Sequence, residues 1–293
     1  MSAPTRLRRE RALGDWLRAR LPSGVAVLAL FIVKQGWSAL FGGLLLIGLI
    51  ASDRYWPDAA PLTRYDALLI YAISLQALFL ALRLESWREV KVIFLFHLTG
   101  TAMEIFKTHM GSWAYPEPSL IRVGDVPLFS GFMYGAVGSY MARVMRVFDM
   151  RFDPYPPYWV SVALAGAIYV NFFSHHYVWD ARWLLIAGTL LIFGRTRVSF
   201  AVDRGRYWMP MPLAGVLTAF FLWVAENVGT STNTWLYNGQ SVFDAVSLSK
   251  MGSWYLLLWV SFATVTLVIR EPLITPDRAT AKRPAKATRS RAG

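Results

Sequence analysis

Long apolar runs, separated by short polar segments, recur along the whole chain. Each run is near the ~20 residues that an α-helix needs to cross a bilayer core. Hydrophobic residues make up 55% of the chain and charged residues 16%, whereas about a quarter of the residues of soluble domains are charged. The pattern predicts an all-α, polytopic transmembrane helix bundle of about eight spans. The predicted spans are 27–50, 65–84, 88–109, 127–147, 157–177, 181–200, 207–228 and 251–270.

Lysine and arginine are distributed unevenly between the segments that join these spans. With a cytoplasmic N-terminus, cytoplasmic segments hold 23 of the 30 Lys and Arg residues and the opposite segments hold six. Because basic residues concentrate on the cytoplasmic side of membrane proteins, both termini are predicted to be cytoplasmic. The net charge of +12 is then explained by topology and does not indicate nucleic acid binding. We expect a multi-pass protein of the inner (plasma) membrane.

The two ends of the chain are basic and lack apolar periodicity. We expect cytoplasmic tails at 1–22 and 273–293, unfolded over 1–20 and 275–293; attraction to anionic lipid headgroups is an alternative role for them. The first apolar run is too long for a signal peptide, so it is interpreted as a retained span. The chain has no cysteine, which excludes disulfides and thiolate chemistry.

A motif centred on a glutamate occurs twice. Counted from Glu104, Thr is at +4, Trp at +9 and Tyr at +11, and the same three residue types occupy the same positions after Glu226. The two glutamates end spans three and seven, which have the same orientation. The pattern therefore predicts two parallel four-helix repeats, 23–150 and 151–272, whose motifs meet near the non-cytoplasmic face.

Glu104 and Glu226 are the strongest candidates for chemistry. A carboxylate inside a span costs ~2.5–3.5 kcal/mol on insertion scales and is often functional. Two carboxyl groups in one pocket should share a proton, which leaves a donor beside an anionic acceptor. The alternative is that both merely link helices through hydrogen bonds.

Other polar residues accompany the two glutamates. His97 lies on the same helical face as Glu104 and is a further catalytic candidate, the alternative being a hydrogen-bonded core histidine. Lys107 is placed to pair with Glu104 and is a candidate for substrate binding. His175, His176 and Asp180 end span five; they are candidates for proton transfer or substrate binding and, as an alternative, for metal ligation. Their spacing matches no known metal motif, so neither metal nor cofactor is predicted. Four aromatic residues are candidates for a substrate wall or, alternatively, for interfacial anchors: Trp113, Tyr115, Trp235 and Tyr237.

Four segments resemble an uncharacterised bacterial integral-membrane family, domain of unknown function 817. They are KQGWSALFGGLLL (34–46), TAMEIFKTHMGSWAYPEP (101–118), LFSGFMYGAVGSYMAR (128–143) and NFFSHHYVWDARW (171–183). More distantly, the Glu-x-x-x-Thr, Gly-x-Trp-x-Tyr pattern is similar to carotenoid-modifying membrane enzymes, the heterodimeric-type lycopene cyclases and the bisanhydrobacterioruberin hydratases. That resemblance implies that Glu104 and Glu226 protonate a polyene double bond.

Three functions are compatible with these patterns. The first is a cofactor-free enzyme performing acid–base chemistry on an isoprenoid or other unsaturated lipid, with His175 and His176 passing protons. The second is a proton-coupled transporter of a small solute that uses the same carboxylates as a relay. The third is a structural or assembly protein. Membrane lipid and a hydrophobic small molecule are the expected partners, and no nucleic acid is expected.

Overall fold

A computed structural model describes residues 3–57 and 59–273, with side chains from residue 11 onward. This part of the chain is mostly helical, followed by a 3₁₀ turn at Glu271–Leu273. Its helices are α1 (Ala3–Arg18), α2 (Ser23–Ser38), α3 (Leu40–Tyr55), α4 (Arg64–Ala81), α5 (Trp87–His109), α6 (Ser130–Val147), α7 (Tyr158–Ser174), α8 (Arg182–Phe193), α9 (Met211–Ser231) and α10 (Leu248–Val268). Its strands are β1 (Trp113–Ala114), β2 (Arg122–Val123), β3 (Val126–Pro127), β4 (Arg151–Asp153), β5 (Arg197–Val202), β6 (Gly205–Pro210) and β7 (Leu236–Tyr237).

Several helices have the length and composition of membrane spans. In the described part of the chain α4, α9 and α10 qualify individually, and α2 with α3 qualifies as a pair. α7 and α8 are apolar but shorter. α5 and α6 carry more charged and small residues and do not qualify. The structure therefore supports a largely helical protein with three or four candidate spans.

The first predicted span is two helices. α2 and α3 are bent by 69° at Ala39. The Ser38 hydroxyl donates to the carbonyl of Lys34 at 2.8 Å, a contact that bends helices because it competes with the backbone ladder. The unusual length of this apolar run thus corresponds to a broken segment.

The sixth predicted span, 181–200, was too long. Helix α8 ends at Phe193, and β5 begins at Arg197. In β5 the side chains of Val198, Phe200 and Val202 are buried and alternate with more exposed neighbours, which is the two-residue period of a strand. β5 pairs antiparallel with β4 and β6 to form a three-stranded sheet, which the all-α prediction missed.

The prediction of an unfolded N-terminal tail was also wrong. α1 covers most of it and packs on α2. Gly14 and Leu17 of α1 are buried, and Arg18 forms an ion pair with Asp203 in the β5–β6 turn. The predicted C-terminal tail lies outside the described residues from 274 onward.

The helices pack in pairs around a core centred on α10. α5 packs on α6, α9 on α10, α3 on α6 and α7 on α10. α5 and α6 approach closely because Gly100 lies against Tyr134 and Gly138 against Phe96, so a larger residue at either glycine would overlap the ring. The bundle therefore has a loop end, where β1 pairs with β7, and a sheet end, formed by β4, β5 and β6.

Candidate functional site: two buried carboxylates at one cavity

The loops that follow α5 and α9 meet in a short antiparallel ladder. Trp113 pairs with Tyr237, and Ala114 pairs with Leu236. The rings of Trp113 and Tyr237 are in edge-to-face contact, with 5.9 Å between their centroids. The two glutamate motifs therefore lie side by side at the loop end.

Glu104, on the last turns of α5, is 3% exposed and accepts three hydrogen bonds. Its Oε2 accepts from Trp113 Nε1 at 2.8 Å and from the Tyr115 hydroxyl at 2.8 Å. Its Oε1 accepts from the Tyr134 hydroxyl of α6 at 2.6 Å. The Trp and Tyr of the motif are thus two loop donors that fold back onto the helix.

Glu226, on α9, is 5% exposed and has an equivalent environment. Its Oε1 accepts from Trp235 Nε1 at 3.1 Å and from the Tyr237 hydroxyl at 2.5 Å. Its Oε2 accepts from Nε1 of Trp254, which belongs to α10. Each carboxylate therefore has two donors from the loop that follows it and one from the next helix.

These donors explain how two carboxylates are held in an apolar interior. A buried charge is tolerated when hydrogen bonds to it replace those of water, and bonds to an ionised acceptor are stronger than neutral ones. The phenols remain protonated: burial, and then the adjacent Glu104, raises the pKa of Tyr115 well above its usual range. Burial and Glu226 do the same to the pKa of Tyr237.

The two halves of the site differ one helical turn after each glutamate. Lys107 occupies this position after Glu104, and Gly229 occupies it after Glu226. The ring of Trp235 covers Gly229 so closely that a Cβ there would overlap it. The site is therefore chemically asymmetric.

Lys107 does not pair with Glu104 as the sequence suggested. It is 4% exposed, and its Nζ lies 2.8 Å from Nε2 of His176 and 3.3 Å from Nε2 of His175. Nδ1 of His175 lies 2.9 Å from the carbonyl of Asn171. This assigns the proton of neutral His175 to Nδ1 and leaves Nε2 to accept from the ammonium.

Asp180 fixes the turn between α7 and α8. It accepts from Asn171 Nδ2 at 3.1 Å and from the Arg182 amide at 2.9 Å, and it lies 3.4 Å from the Arg182 guanidinium. Burial opposes ionisation of Asp180, but these hydrogen bonds and the charge of Arg182 outweigh it and lower its pKa. Asp180 is thus a carboxylate that positions Arg182.

Both glutamates line a single cavity of about 970 Å³, at the upper end of the volumes of small-molecule sites. Polar groups gather at its loop end, and Gln35 is one of the few further inward. The remainder is apolar and extends to the sheet end, where it is lined by Met150, Phe152, Phe200 and Met209. The shape suits a long hydrophobic molecule with one polar end.

The start of α4 holds the two loops over this end of the cavity. Arg64 donates to the carbonyls of Thr232 and Asn233 at 3.1 and 3.2 Å and forms an ion pair with Glu117 at 2.7 Å. Tyr65 donates to the carbonyl of Thr234 at 2.9 Å. Asp66 accepts from the amides of Leu120 and Ile121. One helix N-terminus therefore ties both glutamate loops together.

A family model described as "Protein of unknown function (DUF817)" matches residues 27–262. The chain belongs to the DUF817 family. "Uncharacterized protein YoaT" of Bacillus subtilis (strain 168) is 42% identical over 253 residues, which cover 85% of this chain and 95% of that protein. No solved structure matches the chain. The family predicted from the four motifs is thus confirmed, whereas the resemblance to carotenoid-modifying enzymes stays a prediction.

Most of the candidate residues from the sequence converge in this DUF817 chain. Glu104, Glu226, Lys107, His175 and the aromatic pairs of both loops line the cavity. His176 and Asp180 do not line the cavity but contact residues that do. His176 lies against Lys107, and Asp180 lies against Arg182. His97 does not line it: it packs between α5 and α6 against Gly131, with its ring centroid 4.4 Å from that of Phe132. Its place on the helical face of Glu104 therefore serves packing.

Sequence reasoning missed the third donor of each carboxylate and two cations. Tyr134 and Trp254 lie far along the chain from their glutamates. Each follows a pair of small residues in the first turns of its helix (Ser130-Gly131 in α6 and Gly252-Ser253 in α10). Arg182 and Lys250 also line the cavity. Among the described residues, no group of three His, Asp or Glu side chains is arranged to hold a metal ion. His175 and His176 lie within hydrogen-bond distance of Lys107 instead.

Proposed function

We propose that this chain is a multi-pass membrane protein that performs acid–base chemistry on an isoprenoid or other unsaturated lipid at its paired carboxylates. Apolar surface supports the membrane assignment. Leu191 is 85% and Phe221 is 69% exposed, and they belong to a large set of exposed apolar side chains on the helices. Surfaces of this kind need an apolar environment. The charge pattern supports a topology in which both termini are cytoplasmic and the loop end lies on the opposite side.

Helix packing supports the two parallel halves. Exchanging α3 with α7, α4 with α8, α5 with α9 and α6 with α10 maps four packed helix pairs onto four other packed pairs. The pair α5–α6 becomes α9–α10, α3–α6 becomes α7–α10, α3–α4 becomes α7–α8, and α3–α9 becomes α7–α5; all of these pairs pack together. The β1–β7 ladder lies between the halves, which is where a shared site would form.

The observation that carries the proposed chemistry is the two buried carboxylates at one apolar, aromatic cavity. Fixed negative charge and ring faces both stabilise positive charge that develops on a bound hydrocarbon. Protonation of a carbon–carbon double bond by one carboxylic acid produces such a charge, and loss of a proton from an adjacent carbon to the other carboxylate restores a double bond.

The surroundings suggest different roles for the two glutamates. The positive charge of Lys250 attracts the Glu226 carboxylate. Glu226 is therefore the better candidate for the ionised group that stabilises a cation. Glu104 has three neutral donors and the nearby charge of Glu226, which suits the proton donor. Because a hydroxyl both donates and accepts, Tyr134 can turn to accept from a protonated Glu104. His175, which lines the same cavity, would then carry the proton from Glu226 back to Glu104.

The test is deuterium incorporation by purified protein in detergent, in D₂O, with a polyunsaturated isoprenoid such as squalene or lycopene. Mass spectrometry measures deuterium at carbon. We expect incorporation by the wild type, loss of at least about 100-fold in Glu104→Gln, and a wild-type rate in Glu271→Gln, an exposed glutamate at the sheet end. A folded Glu104→Gln protein with the wild-type rate would contradict the proposal.

One observation favours transport as a second candidate. The cavity reaches from Ser112 at the loop end to Phe200 at the sheet end, as a path across the bundle would. A transporter should move solute only in sealed liposomes and with a proton gradient, whereas an enzyme should act in detergent without one. Gradient-dependent uptake with no deuterium at carbon would favour this candidate.

A further inference from the structure

Three cationic side chains lie at the loop end of the cavity. The cavity is lined by Lys107, Arg182 and Lys250. The charges of Arg182 and Lys250 repel the Lys107 ammonium. Like charges that converge in a buried site repel each other. Their arrangement is favourable when an anion neutralises them.

Among the residues that the structure describes, no acidic side chain is in direct contact with Lys107. It is 4% exposed, and its hydrogen bonds within the described residues go to the ring nitrogens of His175 and His176. A phenyl ring lies beside it, with Nζ 5.0 Å from the Phe172 centroid. Since an ammonium has three N–H donors, one is left for an acceptor in the cavity.

Arg182 and Lys250 also have donors to spare. The Arg182 guanidinium has five N–H groups and, within the described part of the chain, a single ion pair, 3.4 Å from Asp180. The Lys250 ammonium lies 3.8 Å from the centroid of the Tyr237 ring, and its Nζ makes no hydrogen bond within the described part of the chain. Asp180 pairs with Arg182, and Glu226 attracts Lys250. With Glu104 protonated, as proposed above, the three cations therefore carry one positive charge more than the carboxylates beside them.

We propose that the cavity binds a single-chain amphiphile whose oxyanionic headgroup contacts Lys107, Arg182 and Lys250 while its hydrocarbon chain extends towards Met150 and Phe200. This deepens the proposed function, on which it rests, by naming the substrate class. It places the chain carbons nearest the headgroup beside Glu104 and Glu226, where protonation is proposed. Phosphate and carboxylate headgroups share the required chemistry, since both present several acceptor oxygens to cations.

Binding of radiolabelled hexadecyl phosphate to purified full-length protein in maltoside micelles tests this inference. Unlabelled hexadecyl phosphate, palmitate, hexadecanol and inorganic phosphate serve as competitors. We expect either anionic amphiphile to compete at least about tenfold better than hexadecanol, because each charge-assisted hydrogen bond contributes substantially. The stronger of the two identifies the headgroup. Inorganic phosphate should not compete at the same concentrations.

Variants assign the headgroup site. Lys250→Met should weaken binding of hexadecyl phosphate about tenfold or more and leave hexadecanol unchanged, and Lys250→Arg should restore most of the affinity. Arg54→Met, which replaces an exposed cation at the loop end, should bind as the wild type does. Lys250 is partly exposed, so its replacement leaves the buried core intact.

Two results would overturn the inference. Equal competition by hexadecanol and hexadecyl phosphate would remove the headgroup site, and competition by inorganic phosphate alone would show a site for a free anion. Because the saturated probe cannot react, Glu104→Gln should bind it normally. Loss of deuterium transfer with intact anion-dependent binding, or the reverse, therefore separates failure of one proposal from failure of the other.

Discussion

Each buried glutamate organises its surroundings through donors of fixed shape. Trp and Tyr place an N–H or O–H at the end of a rigid ring, so they reach a carboxylate while their apolar faces fill the interior. Trp113 and Tyr237 contact each other while donating to different glutamates. A change at one carboxylate should therefore affect the other through this ring pair.

Gly229 allows Trp235 to reach Glu226. A Cβ at residue 229 would overlap the indole ring, so Gly229→Ala should displace Trp235 and remove one donor from a buried carboxylate. We expect destabilisation by ~1–3 kcal/mol, measured as a lower midpoint of thermal unfolding by tryptophan fluorescence in detergent.

Gly166→Ala is the matched control for this substitution. Gly166 is also helical, on α7, but no atom lies within 4 Å of a Cβ there, and alanine is favoured in helices by ~0.5–1 kcal/mol. Its midpoint should stay constant or rise. Equal effects of the two substitutions would show that Trp235 does not depend on the glycine.

The sequence predicted those site residues that lie close to a glutamate along the chain and missed those that other helices supply. The Trp and Tyr at +9 and +11 are close to their own glutamate along the chain, so the repeated spacing could link them to it. Tyr134 and Trp254 reach the carboxylates from other helices, and their positions depend on how α6 and α10 rotate against α5 and α9. His97 lies away from the cavity for the same reason: helical periodicity places it on the face of Glu104, but in the fold its ring packs against Gly131 and Gly135 of α6.

At the scale of elements, the apolar runs predicted helices well and their ends poorly. Every predicted span contains a helix, because length and hydropathy are strong signals. β5 was included in a span because Val198, Phe200 and Val202 are as apolar as a helix would be; only their alternation with Ser199 and Ala201 indicates a strand. The break at Ala39 follows Ser38, whose hydroxyl donates to the Lys34 carbonyl, a local feature that no hydropathy window detects.

The N-terminus of α4 is the element that holds the site together. Arg64 donates to two carbonyls of the α9 loop, those of Thr232 and Asn233, and forms an ion pair with Glu117 of the α5 loop. Arg64→Met should loosen both loops at once, since a single buried side chain supplies all three of these contacts, while those of Tyr65 and Asp66 remain. We expect amide hydrogen exchange over 112–128 and 232–246 to increase by about tenfold or more.

Arg54→Met provides the control for the loop experiment. Arg54 is an exposed cation on the neighbouring helix α3, so its replacement changes the charge at the loop end without removing these contacts. Exchange in both loops should then match the wild type. Faster exchange in the α5 loop alone after Arg64→Met would contradict the role of α4 as a common clamp.

At the scale of the whole molecule, the proposed topology decides which side supplies the substrate. The chain has no native cysteine, so single cysteines report on the two ends without background. We expect a membrane-impermeant maleimide to label Asp125→Cys at the loop end in intact spheroplasts, and Arg195→Cys at the sheet end only after lysis. Both residues are exposed, so differences in labelling reflect the membrane barrier.

Each result of this labelling has a distinct consequence for the site. The expected pattern puts the carboxylates and the three cations near the non-cytoplasmic face, so an anionic amphiphile would enter headgroup-outward from that leaflet and extend its chain inward. Labelling of Arg195→Cys alone in spheroplasts would invert the bundle against its charge pattern, and the headgroup would then enter from the cytoplasmic leaflet. Equal labelling of both positions, with the protein in the soluble fraction, would contradict the membrane assignment. The exposed side chains of α8 and α9 would then need a protein partner to cover them, because water alone does not stabilise so large an apolar surface.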